Sequence, residues 1–377
     1  MTIETDKDRT SEREAALIAR LVAAGYGRAE PAILQPAAVF LDLSGEDIRG
    51  RIYLTGDASG AEYCLRPEYT IPVCRDYLAS AHAGQAAAFS YLGPVFRYRS
   101  NGPAEFNQAG LESFGRTDKE AADAEIFTLA AEGAREGGAG PLKVQIGDAG
   151  LFTRFLAVLD LPPVWLRRIR RGHARGQSLD LMFAPPANGN GNGGDHSGVL
   201  AALEGADKKG ARALVEDLLS IAGISSVSGR SAGEIAERFL EQASLKAGGA
   251  IAAEKRSLIE RYLAIEGNPD AASGKLRALA SDAKLDLANV LDAFDARLGF
   301  IAARGFDVNE LDFSARFGRN LDYYTGFVFE AHDPARADMR PIIGGGRYDG
   351  LLRTLGATED IPAVGAAIWC DRLGAAA

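Results

Sequence analysis

The chain has 377 residues, 47% of them hydrophobic and 25% charged, which suits one large core with an insertion or two domains and excludes a disordered or fibrous chain. Its net charge of -9 and pI of about 5.2 argue against a general polyanion binder, which needs clustered Lys and Arg. Three cysteines without C-x-x-C spacing exclude a disulfide framework or thiolate metal site, and no run approaches the ~20 apolar residues of a membrane span, so a cytoplasmic protein is expected.

Along the chain, Ser11 and Glu14 form a capping-box pair, and Ala15, Ile18, Leu21 and Val22 recur at helical spacing before Gly25, predicting an amphipathic first helix. From Ala61 to Gly115 short segments rich in Tyr, Phe and Val, broken by Pro and Gly, predict antiparallel strands. Thr117 and Glu120 repeat the capping box and open a second helix, with Ile126, Leu129 and Ala130 buried, that ends near Gly137 and Gly138. Residues 184–198, with Asn and Gly alternating from Asn188, read as a loop; 199–303 read as mostly helical, as at Ile235, Phe239 and Leu240. Strand texture returns at Val308. These elements predict an α+β fold in which residues 1–140 and 304–377 share one core and 141–303 form a mainly helical insertion.

Several segments carry polar groups suited to a site. In Gly93–Arg99, strand alternation puts Arg97 and Arg99 on one face, where a guanidinium clamps a carboxylate. In Phe106–Gly115, Gln108, Gly110 and Glu112 share a face, with Gly110 leaving room for a ligand between two polar groups. Glu68 and Thr70 lie beside the Pro67 turn. Arg319 to Gly326 precedes the cluster Gly344-Gly345-Gly346-Arg347-Tyr348-Asp349-Gly350, which lacks the Lys-Ser/Thr ending of a P-loop. Singly, each has a plain structural reading: an ion pair for Arg97, a solvated face for Gln108 to Glu112, a surface turn for Glu68, a surface position for Arg372. The four histidines lack metal-ligand spacing, and the run Arg167, Arg168, Arg170 and Arg171 reads as a solvated helix face.

In this order, however, the segments resemble histidyl-tRNA synthetase. The likeness covers Leu65 to Glu125 and Val308 to Leu373: Gly93 to Arg97 is similar to the second class II motif, Arg372 sits where the third places its arginine, and Arg319 to Tyr324 and Gly344 to Gly350 are similar to the two histidine signatures. The first class II motif is poorly matched at Ile33 to Phe40. The resemblance implies a class II synthetase-like antiparallel sheet flanked by helices. It also implies a histidine pocket, in which Glu68, Thr70 and Gln108 take the α-ammonium and Arg97 and Arg319 face the carboxylate. Glu112 and Tyr324 would then bracket the imidazole, with Tyr323 and Tyr348 beside them.

Three departures separate the chain from the synthetases: a short Arg97–Gln108 loop where ATP would be embraced, only five residues after Arg372, and an acidic net charge. The chain thereby resembles the ATP phosphoribosyltransferase regulatory subunit family. That likeness implies a non-catalytic protein with no metal and no cofactor, bound to a short-form catalytic subunit in a hetero-octamer, sensing free histidine and engaging neither tRNA nor membrane. A minimal histidine-activating enzyme is the alternative, since Arg97 and Arg372 are retained.

Overall fold

A computed structural model describes residues 2–43, 46–100, 102–184, 226–227, 230–231, 251–319, 323–336 and 340–374. The chain divides into two compact units, one of Met1–Val158, His173–Gly176 and Glu260–Ala377, the other of Leu159–Gly172 and Gln177–Ile259.

Strands in chain order are β1 (Gly27–Arg28), β2 (Leu34–Pro36), β3 (Leu54–Gly56), β4 (Glu62–Leu65), β5 (Ala87–Phe96), β6 (Glu105–Phe114) and β7 (Lys143–Asp148). They continue with β8 (Ser226–Val227), β9 (Arg230–Ser231), β10 (Glu266–Gly267), β11 (Leu311–Ser314), β12 (Phe327–His332), β13 (Ile343–Arg347) and β14 (Ala363–Trp369). Among the described residues the first unit is built on a nine-stranded sheet of order β1-β5-β6-β14-β13-β12-β7-β11-β10, with a small sheet β2-β4-β3 beside it. All pairs in the large sheet are antiparallel except β1 with β5 and β11 with β7. The early and late strand-forming stretches therefore meet in one sheet, at the seam between β6 and β14.

One face of the sheet is covered by the Lys119–Glu136 helix, whose Ala and Gly residues permit close approach. At Gly133 an added Cβ would touch Ile368 of β14 on one side and Leu17 and Leu21 of the Thr2–Ala23 helix on the other. The opposite face carries an aromatic core that includes Tyr69, Tyr77, Tyr91, Phe114 and Tyr348.

Several elements differ from the sequence reading. The first helix starts at Thr2, so Ser11 and Glu14 are interior to it; nothing from Thr2 to Thr10 is a Pro or Gly that would break it. Its buried residues are Leu17 and Leu21, while Ala15 and Val22 are exposed. The second helix begins after Asp118 instead of Thr117, and ends at Glu136 with Gly138 at φ +92°. Inside the stretch expected to be strands, Thr70–Ala79 is a helix. Its first turn tolerates Pro72, and tertiary burial of Ile71, Val73, Cys74 and Tyr77 overrides their strand preference.

The sheet also claims more of the chain than the expected 141–303 insertion allows. β7 pairs with β12 and β11, β10 pairs with β11, and the Ala288–Ala303 helix packs against the Lys119–Glu136 helix, so these segments belong to the first unit. Helices Ala253–Leu263, Pro269–Asp282 and Ala288–Ala303 match the helical reading of that stretch. The Gly/Asn-rich residues 185–198, and Ile235, Phe239 and Leu240, lie outside the described residues. In the second unit, Arg167, Arg170 and Arg171 are exposed on the Pro163–Ala174 helix.

Candidate functional site

The site grows from four pieces of the first unit. Glu68 precedes the Thr70–Ala79 helix and accepts from the backbone N–H of Thr70 (2.7 Å) and of Ile71 (2.9 Å), so its carboxylate caps the helix. It is 7% exposed, and burial raises its carboxyl above the ordinary range against the pull of the Ile71 N–H and Arg97. On β6, two-residue periodicity brings Gln108 and Glu112 to the same face. Gln108 is 1% exposed, and its Oε1 has no hydrogen-bond partner among the described residues.

Arg319 donates from Nε to Glu330 Oε1 (3.0 Å) and from Nη1 to the Tyr324 hydroxyl (2.7 Å). Tyr348, in the turn after β13, donates to Glu112 Oε2. Arg97 lies just beyond the end of β5, outside the strand, and donates from Nε to Pro67 O at 2.6 Å. Arg99 is also off the strand, paired with Asp371 at 2.8 Å.

These pieces enclose a cavity of about 260 Å³. Of the nine residues expected at the site, Glu68, Thr70, Arg97, Gln108, Arg319, Tyr323, Tyr324 and Tyr348 line it. Glu112 is a layer behind: fully buried, it accepts from Thr70 Oγ1 (2.8 Å) and Tyr348, with Tyr91 OH at 3.4 Å. Glu112 is therefore not among the lining residues, and it meets the cavity only through the hydroxyls of Thr70 and Tyr348, which are.

Burial pushes the Glu112 carboxyl up to about 8, against the hydrogen bonds of Tyr348 and Thr70. The folded chain therefore holds this proton more tightly than the unfolded chain, and stability drains from this group as pH rises from the ordinary carboxylate range to about 8. Between pH 5.5 and 8, wild-type stability in urea is expected to fall more than that of Glu112→Gln, which has no proton to lose.

The glycines act differently from the sequence reading. The space at Gly110 is filled by the Tyr91 hydroxyl and Ala366 O, so it holds no ligand. A Cβ at Gly365, directly across from Glu112, would overlap that carboxylate, and one at Gly344 would overlap Arg319. Both glycines make room for the protein's own polar side chains, the Glu112 carboxyl and the Arg319 guanidinium.

Sequence reasoning missed Glu330, Trp369, Arg51 and Arg340, which also line the cavity, and undervalued Arg372. Arg51 and Arg340 are exposed. Arg372 is buried, and burial with Arg340, Arg99 and Arg97 nearby lowers its guanidinium to about 10. Its Nε and Trp369 Nε1 are buried donors with no partner among the described residues. On β12 the alternation of apolar Phe327, Phe329 and Ala331 with polar Glu330 and His332 offered a signal for Glu330; nothing local marks the others.

Arg347, from the glycine-rich signature, is structural. It meets buried Asp123 (2.7 Å) and Asp349 (2.9 Å), while Arg297 bridges Asp123 (2.9 Å) and Asp148 (2.8 Å). Thr325 N donates to Arg347 O (2.8 Å) and Asp349 N to Thr325 Oγ1 (3.0 Å), tying the wall that carries Tyr324 to the turn that carries Tyr348. Asn320, Leu321 and Asp322 lie outside the described residues. His173 is a core residue, stacked on Phe152 (4.1 Å) with Nε2 bonded to Ala315 O (2.8 Å). Among the described residues no His/Cys/Asp/Glu group is arranged to hold a metal, and no helix is long and apolar enough to cross a membrane.

Residues 3–180 and 210–373 match the histidyl-tRNA synthetase family. Over 370 residues the chain is 40% identical to the ATP phosphoribosyltransferase regulatory subunit of Brucella canis, covering 98% of each. The counterpart from Brucella melitensis biotype 1 is also 40% identical, over 98% of this chain and 97% of that one. The chain belongs to the ATP phosphoribosyltransferase regulatory subunit family. It is a non-catalytic regulatory member that serves histidine biosynthesis. Solved structures show the shared fold. The Bacillus halodurans ATP phosphoribosyltransferase regulatory subunit/histidyl-tRNA synthetase matches at a TM-score of 0.65 and 19% identity, over 97% of this chain and 78% of that one. Histidyl-tRNA synthetase from Nostoc matches at 0.63 and 17% identity, over 97% and 70%. The family thus carries the synthetase architecture of sheet and flanking helices.

Proposed function

We propose that this regulatory subunit senses free histidine in the cytoplasm and transmits feedback inhibition to a short-form catalytic subunit within a hetero-octamer. The observation that carries the reading is Gln108 Oε1: a buried acceptor with no partner, on a cavity that also holds the Glu68 carboxylate. A buried unpaired acceptor costs about 1–3 kcal/mol, which an α-ammonium would recover by donating to Gln108, Glu68 and Thr70 together. Arg97 and Arg319 supply the opposite charge for the carboxylate.

For the imidazole, the hydrogen-bond directions matter. Tyr348 spends its hydrogen on Glu112, leaving its oxygen to accept from a ring N–H. Tyr324 accepts from Arg319, leaving its hydrogen for the other ring nitrogen. The pair is complementary to a neutral imidazole, and an analogue lacking either nitrogen would leave a buried polar group unpaired.

Binding shifts the complex only through unequal affinity for two arrangements; a tenfold preference corresponds to about 1.4 kcal/mol of coupling. Calorimetric titration of the full chain with histidine, alone and with the catalytic subunit, is expected to show one site per chain. Heat in neither titration would refute the reading.

A further inference from the structure

We infer that Glu330 and Gly344 form a cradle that fixes which edge of the Arg319 guanidinium is offered to the cavity, making Glu330 a positioning residue for recognition of the ligand carboxylate. Glu330 is on β12 and Gly344 on β13, and the two are direct cross-strand partners. Arg319 reaches across this pair. Its Nε donates to Glu330 Oε1 at 3.0 Å, and its Nη2 occupies the volume that any side chain at position 344 would need. Its Nη1 donates to Tyr324 OH at 2.7 Å.

A guanidinium has five N–H donors in a rigid plane. Glu330 takes the one on Nε and Tyr324 takes one on Nη1, so the donors left for a ligand are the three others on Nη1 and Nη2. The side-on edge, Nε with Nη2, is closed by Glu330. Only an end-on approach at Nη1 and Nη2 remains for a bidentate carboxylate. Because Arg319 is held in a plane before any ligand arrives, little side-chain entropy is lost on binding. Glu330 has a second partner, His332 Nε2 at 3.5 Å, two residues along the same strand, which steadies the carboxylate from its other oxygen.

The inference rests on the histidine reading and deepens it, so its test compares histidine with histidinol, which has a hydroxymethyl group in place of the carboxylate. In calorimetry and competition titrations, Glu330→Gln is expected to bind histidine about 10-fold to 30-fold more weakly, the range of losing one charge-assisted contact. Histidinol affinity should change less than about 2-fold, because the ligand group that Arg319 would meet is gone. Arg319→Lys added to Glu330→Gln should cost less than Arg319→Lys alone, since the two act as a unit.

Equal losses for histidine and histidinol would show a merely structural role and overturn the inference, as would additive losses in the double variant. If Glu330→Gln does not fold, Gly344→Ala, which crowds Nη2 without removing a charge, is expected to give the same selective loss, and unchanged selectivity there would overturn it. A wild-type chain that binds no histidine overturns the underlying reading; a wild-type chain that binds, with Glu330→Gln indistinguishable from it, overturns the cradle alone.

Discussion

Glu68→Gln is expected to weaken histidine binding about 100-fold, equivalent to about 2.7 kcal/mol. Two effects add. The variant removes the negative charge that offsets a desolvated ammonium, and truncating one side of a buried charge pair costs about 2–5 kcal/mol. It also replaces one acceptor oxygen with an amide nitrogen facing the Thr70 or Ile71 N–H, a donor against a donor at the start of the helix. Calorimetry reads the first effect and the melting temperature the second. If affinity is unchanged while the protein remains folded, the ammonium is not held at Glu68 and the proposed orientation of the ligand is wrong.

Asp123→Ala is expected to be the most destabilising single change, because it leaves the guanidiniums of Arg297 and Arg347 facing each other without their shared carboxylate. Breaking a buried ion pair from one side costs about 3–5 kcal/mol, and this carboxylate is fully buried between two cations. The contrast is Arg277, which meets Asp292 (2.7 Å) and Asp295 (2.6 Å) at equally short range but is 41% exposed. Solvent screening reduces that pair to less than about 1 kcal/mol, so Arg277→Ala should melt within a few degrees of wild type. Thermal melts of the two variants side by side check the difference. Equal shifts would mean that burial does not set the worth of these pairs. Since Arg347 also ties the Tyr348 turn to Thr325, Asp123→Ala should weaken ligand binding along with stability.

The order of motifs was enough to read the family, the α+β class and the identities of eight cavity residues, because a strand's period of two and an ordered series of short signatures are local properties of the chain. Gln108 and Glu112 share a face for that reason alone. What local pattern cannot hold is depth and partnership. Glu112 looks like a ligand contact in the sequence, yet Thr70 and Tyr348, from 42 positions before and 236 after, stand in front of it. Gly110 looks like a gap for a ligand, yet the Tyr91 hydroxyl and Ala366 O fill it, and nothing in the sequence shows that Gly344 makes room for Arg319. Arg347 sits beside Tyr348 in one signature, yet turns to Asp123, 224 residues earlier, and becomes structural. The Thr70–Ala79 helix reads as strand until its apolar side chains find a core to enter. Periodicity sets the face on which a side chain emerges; the desolvation cost of burying each charge decides what it must pair with, and those partners come from segments that only the folded sheet brings together.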